Sequence, residues 1–259
     1  MAARGRVESA GWLSELFGRP VSMLMMDAQG PLLREQDVRT GGLVQAKISS
    51  SALEEMDALA DMGFRLVESE VDFILERSGV TLGGMGTVVD DGVPVVEHGG
   101  VQADPAEGGC PVAAVGIRPA TAEDLDRAGD LAAEGLGHSR FRLPWFSVDE
   151  RRHLYRTWAR AAVMGSHDDL CLLAGDGGDR GLVTLRQENG SARIGLLAVA
   201  PGHQRRGIGT ALLRAAAHWG AQRGLAQLRV ATQASNPGAI AFYQAQGARV
   251  GALSQWFYR

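Results

Sequence analysis

The chain has 259 residues, 45% of them hydrophobic, which is enough for one large core or two small ones and argues against general disorder. A formal net charge of -4 gives no global basic field, so nucleic acid is not an expected partner beyond a local basic patch. Cys110 and Cys171 stand far apart, and neither they nor the six histidines show ligand spacing, so neither a metal nor a disulfide scaffold is expected.

No apolar run approaches membrane-spanning length, and "MAARGRVESAGWLSEL" lacks the apolar core of a leader. A cytoplasmic protein without membrane insertion is the expectation. In chain order, residues 1–78 read as an N-terminal α/β domain. "LVQAKISS" predicts a strand with Val44, Ala46 and Ile48 on one face. Ser51 to Glu54 reads as a capping box, opening a helix that stops at Gly63. "FRLVESEVDFILER" predicts a strand with Leu66, Glu68, Glu70 and Asp72 alternating against Val67, Val71 and Phe73. Three acids on one strand face read either as a solvated sheet face or as chemistry.

Residues 79–113 are dense in glycine and have no helical period. They read as a linker with a short hairpin around Asp91-Gly92. "GGMG" within it has neither the strand-to-helix context nor the lysine of a phosphate loop.

Residues 114–259 predict the order β-α-α-β-β-β-α-β-α-β. Thr121 to Asp124 and Ser147 to Glu150 open the two helices, and three strands follow over "LCLLAG", "RGLVTLRQE" and "SARIGLLAVA". A helix follows with Ile208, Leu212, Ala216 and Trp219 on one stripe, then the strand "AQLRVATQ". "NPGAIAFYQAQG" is a helix with Asn236 as N-cap and Pro237 at its first position, and the tail holds one or two strands.

The junction "HQRRGIGT" has a physical reading of its own. A helix N-terminus presents unpaired N–H groups and partial positive charge, and glycine lets a ligand approach the backbone. Gln204, Arg205, Arg206, Gly207, Ile208, Gly209 and Thr210 therefore make a candidate pyrophosphate cradle. An ordinary strand-turn-helix with solvated arginines is the plainer alternative.

Gln204-x-x-Gly207-x-Gly209 after "LLAVAP" resembles the acetyl-CoA motif of the GNAT N-acetyltransferases. "SNPGAIAFYQAQGARV" is similar to that family's next signature. The resemblance implies an α/β GNAT fold: a mixed, mostly antiparallel central sheet flanked by helices, here with the smaller N-terminal domain. Acetyl-CoA is the implied cosubstrate. Leu197, Ala198 and Val199 would pair with the pantetheine, and the cradle would hold the pyrophosphate. Tyr243, by itself a core tyrosine, would be the general acid, and Asn236 would bond the CoA chain as well as cap.

"SRFRLPWF", "ARIGLLAV", "LRVATQ", "WFYR", "VQAKI" and "GFRLVESEVD" resemble the family's nucleotide-aminosugar branch, which serves enterobacterial common antigen synthesis. That resemblance implies acetylation of the 4-amino group of a dTDP-4-amino-4,6-dideoxyhexose of galactose configuration by a homodimer. Glu68 matches an acidic position of the branch and is the candidate base; Glu70 and Asp72 are weaker candidates. Arg140 and Arg142 could meet the acceptor's diphosphate, and Phe141, Trp145 and Phe146 could stack on or wall its base and 6-deoxy methyl, or the aromatics could plug the core. Trp256 and Tyr258 read as core strand residues. The competing functions are a GNAT acting on a protein N-terminus or small amine, and a catalytically silent acyl-CoA-binding module.

Overall fold

A computed structural model describes residues 4–76, 85–90, 93–98, 115–175 and 178–259. The first block supplies β1 (Gly5–Ser9), α1 (Gly11–Phe17), β2 (Val21–Met26), β3 (Leu43–Ser49), α2 (Leu53–Asp61) and β4 (Arg65–Glu76). The hairpin β5 (Met85–Asp90) and β6 (Val93–His98) follows; the rest of the expected linker lies largely outside the described residues. The last block runs β7 (Gly116–Pro119), α3 (Leu125–Gly135), α4 (Val148–Val163), β8 (Leu170–Gly175), β9 (Gly181–Glu188), β10 (Ser191–Val199), α5 (Ile208–Gln222), β11 (Gln227–Gln233), α6 (Pro237–Ala245) and β12 (Arg249–Tyr258). This is the order expected for residues 114–259, with the tail forming one strand.

Ten strands form one sheet in the order β1-β2-β3-β12-β4-β11-β10-β9-β8-β7. Only the β2–β3 and β10–β11 pairs are parallel, so the sheet is mixed and mostly antiparallel. It does not divide where the composition shifts at 79–113. β4, from the first block, lies between β11 and β12 of the last, so one continuous sheet carries residues from both blocks to a common site.

One face carries α5 and α6 over a core of Phe73, Val183, Ile194, Leu212, Ala216, Trp219 and Tyr243. The opposite face carries α3 and α4 over Leu131, Phe141, Phe146, Leu154, Leu173, Leu196 and Tyr258. A third cluster buries Val44, Ala46 and Ile48 against α2, the face the alternation of β3 predicts.

Local signals set most of the ends. Ser147 Oγ accepts from the Glu150 N–H at 3.1 Å while Glu150 accepts from the Ser147 N–H at 2.7 Å, a closed capping box. The box expected at Ser51 is not formed. Ala52 is the N-cap of α2, and the Ser51 hydroxyl bonds Ser49 at 3.0 Å instead. The alternation predicted for β4 also needs correction. β12 places Trp256 opposite Glu68 and Phe257 opposite Leu66, skipping Val67. This bulge reverses the faces beyond it, so Val67 joins the α3/α4 side while Val71 and Phe73 stay on the α5/α6 side.

Candidate active site

The site starts from a break in the sheet. β10 and β11 pair at only three positions, Ala192–Leu228, Arg193–Arg229 and Ile194–Val230. Beyond Ile194, β10 stays with β9 and β11 with β4, so the two strands part. The departure coincides with a bulge. Ile194 faces Leu185 but Leu197, not Leu196, faces Val183, so β10 holds one extra residue there. Leu197 and Val199 point to the α5 side, Leu196 and Ala198 to the α3 side.

A cavity of about 460 Å³ opens at this gap, lined from both faces of the sheet. Gly195 to Leu197, Val230 to Gln233, Asn236 and Tyr243 line one part; Lys47, Glu70, Arg140, Arg186, Arg193 and Trp256 line another.

At the outer end of β10 the chain turns through Gly202 at φ 78°, Arg205 at φ 60° and Gly207 at φ 81° into α5. Gly207 is the N-cap, no side chain caps the helix, and no acid occupies its first turn. The first-turn N–H groups of a 15-residue helix are thus left for an outside acceptor, with exposed Gln204, Arg205 and Arg206 around them. Ile208 is buried in the core, so its share in the cradle is its backbone; Gly209 and Thr210 are half-buried.

Tyr243 stands across the gap on α6. It is 5% exposed, with Phe73 and Phe242 rings 5.6 and 5.2 Å away. Burial pushes its phenol well above the ordinary tyrosine range, so the hydroxyl keeps its proton throughout the neutral range. Asn236 Oδ1 accepts from the Ala239 N–H at 3.1 Å, the cap its position predicts, and the residue lines the cavity as well.

Glu68, Glu70 and Asp72 of β4 separate. Glu70 is 8% exposed and lines the cavity; it accepts from Lys47 Nζ at 2.5 Å and Trp256 Nε1 at 2.9 Å. Asp72 is paired with Arg193 and lies 3.5 Å from Lys47. Glu68 does not line the cavity. Its carboxylate accepts from the Ser69 N–H at 3.0 Å and from Ser235 Oγ at 2.7 Å, beside Asn236. The solvated-face reading thus fails for Glu70.

Arg140 lines the cavity, its guanidinium 3.7 Å from the Trp256 ring centre and 4.1 Å from that of Phe141, donating to Gln45 and the Tyr258 hydroxyl. Arg142 does not line it; its guanidinium donates to the Val67 carbonyl at 2.6 Å, bridging to the bulge of β4. Trp145 packs edge-on to Tyr258 at 5.8 Å, outside the lining. Phe146 contradicts its expected substrate contact. At 1% exposure it fills the core between Phe17, Phe141 and Tyr258, the plug that an aromatic in a helix-connecting loop often is.

Sequence reasoning missed Lys47, Arg186 and Arg193. They belong to a chain of alternating charge: Glu70–Lys47–Asp72–Arg193–Glu188–Arg186–Asp168. Its only sequence signal is a basic residue set among apolar neighbours in "LVTLRQ" and "SARIGLL". Among the described residues Arg140 is in no ion pair, so it is the cavity cation left for an incoming anion. Among those residues, too, no helix is long and apolar enough to cross a membrane, and no three His, Cys, Asp or Glu side chains group as metal ligands.

Comparison with known proteins agrees with this geometry. The family model "Acetyltransferase (GNAT) family" matches residues 138–248, which hold the bulge, the helix N-terminus and Tyr243. A dTDP-fucosamine acetyltransferase of Escherichia coli O6:H1 is 34% identical over 262 residues, covering 100% of both chains. A GCN5-related N-acetyltransferase from Kribbella flavida superposes with a TM-score of 0.56 at 13% identity, over 98% of this chain and 87% of that one. One from Sphaerobacter thermophilus does so with 0.51 at 17% identity, over 84% of this chain and 59% of that one. The chain belongs to the GNAT family of acetyltransferases.

Proposed function

We propose that the protein transfers acetyl from acetyl-CoA to the 4-amino group of a dTDP-4-amino-4,6-dideoxyhexose, with the galactose configuration favoured. GNAT acetyltransferases use acetyl-CoA, and the residues here fit it: a parted strand pair whose free edge leads to an uncapped helix N-terminus. The backbone of Leu197, Ala198 and Val199 pairs with the pantetheine as an added strand would. Gln204 to Thr210 hold the pyrophosphate, and a backbone N–H near Val199 polarises the thioester carbonyl. Asn236 adds a polar contact to the donor chain. Tyr243 keeps a proton at its hydroxyl for the leaving sulfur.

The observation that carries the acceptor reading is Arg140. Among the described residues it is a cation without a carboxylate partner, set among aromatic rings at a cavity that opens on the same gap. A diphosphate satisfies it, and the ring of Trp256 beside it offers an apolar wall for the nucleotide sugar. The full-length likeness to an enzyme named for dTDP-fucosamine supports the same class. The enzyme acts as a homodimer in this reading.

Glu68 serves as the proton acceptor. Glu70 and Asp72 already neutralise cations, whereas Glu68 holds only a backbone N–H and a serine hydroxyl, and it takes the proton through solvent. Glu68→Gln is expected to slow turnover chiefly at low pH, where the amine is protonated, and to converge on wild type as pH rises. A rate loss equal at every pH in the profile removes the base role.

The acceptor class is tested by competition. Thymidine diphosphate is expected to inhibit against a saturating donor, with adenosine and guanosine diphosphates weaker. If thymidine diphosphate neither binds nor inhibits, the nucleotide-sugar reading fails and the small-amine reading replaces it.

A further inference from the structure

The bulge that parts β10 from β11 is held from behind by a buried polar clamp. Asp168, in the turn between α4 and β8, is 1% exposed, an unusual place for a carboxylate. Its Oδ2 accepts from Thr184 Oγ1 at 2.5 Å and from Trp158 Nε1 at 2.8 Å, and its Oδ1 accepts from Arg186 at 3.0 Å. Facing an acceptor-only carboxylate, the Thr184 hydroxyl must give it its one proton. Its lone pairs are then turned to the Leu196 N–H, 2.8 Å away. That amide belongs to the bulge, between Ile194 and Leu197, where the ladder to β9 shifts register.

Gly195 completes the arrangement. Its φ is not in the left-handed region, so glycine is not needed there for its dihedral freedom. It is needed for space: a Cβ would fall 2.8 Å from Thr184 Oγ1 and closer still to Asp168 Oδ2. The backbone of β10 therefore lies directly on the carboxylate, and Gly195 to Leu197 line the cavity, as do the clamp's donors Trp158 and Arg186.

We propose that Asp168 and Thr184 are positioning residues for the donor. They fix the extra residue of β10 in place, and so keep the strand parted from β11 with its edge free for acyl-CoA. This rests on the reading that the donor binds along β10. The anchor also reaches the acceptor side, because the same carboxylate sets Arg186 at the cavity wall.

The test compares Thr184→Val, which keeps the shape and loses the hydroxyl, with Thr184→Ser, which keeps the hydroxyl. Leu173→Val serves as the control, thinning the buried core of β8 without touching the clamp's hydrogen bonds or the cavity lining. Acetyl-CoA affinity by calorimetry, and protection of the Leu196 amide by hydrogen exchange, are measured on the full chain. Thr184→Val is expected to weaken acetyl-CoA binding about tenfold or more, since a buried N–H is left without an acceptor, and to lose Leu196 protection. Thr184→Ser is expected to restore both, and Leu173→Val to leave both unchanged while lowering Tm. Wild-type affinity in Thr184→Val, no rescue by serine, or an equal loss in Leu173→Val overturns the proposal. If wild type itself does not bind acetyl-CoA, the donor reading fails instead, and Leu196 protection alone then decides whether the clamp holds the bulge.

Discussion

Tyr243→Phe is expected to lower kcat by about 10²–10⁴-fold while leaving acetyl-CoA affinity within twofold of wild type, the range general acid catalysis commonly supplies. The reason is positional. The ring is fixed between Phe73 and Phe242 where the core meets the cavity, and phenylalanine keeps those contacts. Only the hydroxyl, and with it the transferable proton, is lost. Because burial pushes that phenol upward, the proton is present across the neutral range, and the wild-type rate is expected to show no loss from tyrosine ionisation near neutral pH. Pre-steady-state release of free CoA thiol, together with the donor Kd, checks both parts. Unchanged turnover in Tyr243→Phe removes the acid role and leaves Tyr243 a core residue.

Arg140→Ala is expected to raise the acceptor KM about 10–100-fold, the size of a charge-assisted hydrogen bond lost from a half-buried site. Donor affinity and kcat at saturating acceptor are expected to change little. Arg140→Lys separates charge from shape: it keeps the cation but loses the planar fork stacked on Trp256 and Phe141, and an intermediate KM is expected. Arg140 also donates to Gln45 and Tyr258, so Tm is measured alongside. A fall in Tm with an unchanged acceptor KM makes Arg140 a structural residue of the β3–β12 region. Arg142→Ala, which removes bonds to the Val67 and Leu143 carbonyls outside the cavity lining, is the paired control.

The parts of this site that use short-range chemistry were legible from the residues. Asn236-Pro237 opens α6, Ser147 to Glu150 opens α4, and Gly207 marks the uncapped start of α5, because each depends on neighbours within four positions. The parts that use pairing across the sheet were not. Glu70 reads as one of three equivalent acids until β3 and β12 bring Lys47 and Trp256 against it. Period-two alternation also misplaces Val67, because a bulge is a property of two strands and leaves no mark in one. Phe146 shows the same limit in a loop: whether an aromatic there meets ligand or core depends on Phe17 and Tyr258, far away in the chain. Asp168 is the extreme case. Its partners Trp158, Thr184 and Arg186 come from three positions on α4 and β9, and nothing in "GSHDDL" distinguishes it from the exposed Asp169 beside it.

The most direct test of the central claim is product analysis by mass spectrometry after the purified chain meets acetyl-CoA and dTDP-4-amino-4,6-dideoxygalactose. Formation of the N4-acetylated nucleotide sugar with matching release of CoA, slowed about 10²-fold or more in Tyr243→Phe as expected of a lost general acid, is the predicted result. Consumption of acetyl-CoA with a polyamine or peptide N-terminus but none with the nucleotide sugar, or no consumption with any amine, would contradict it.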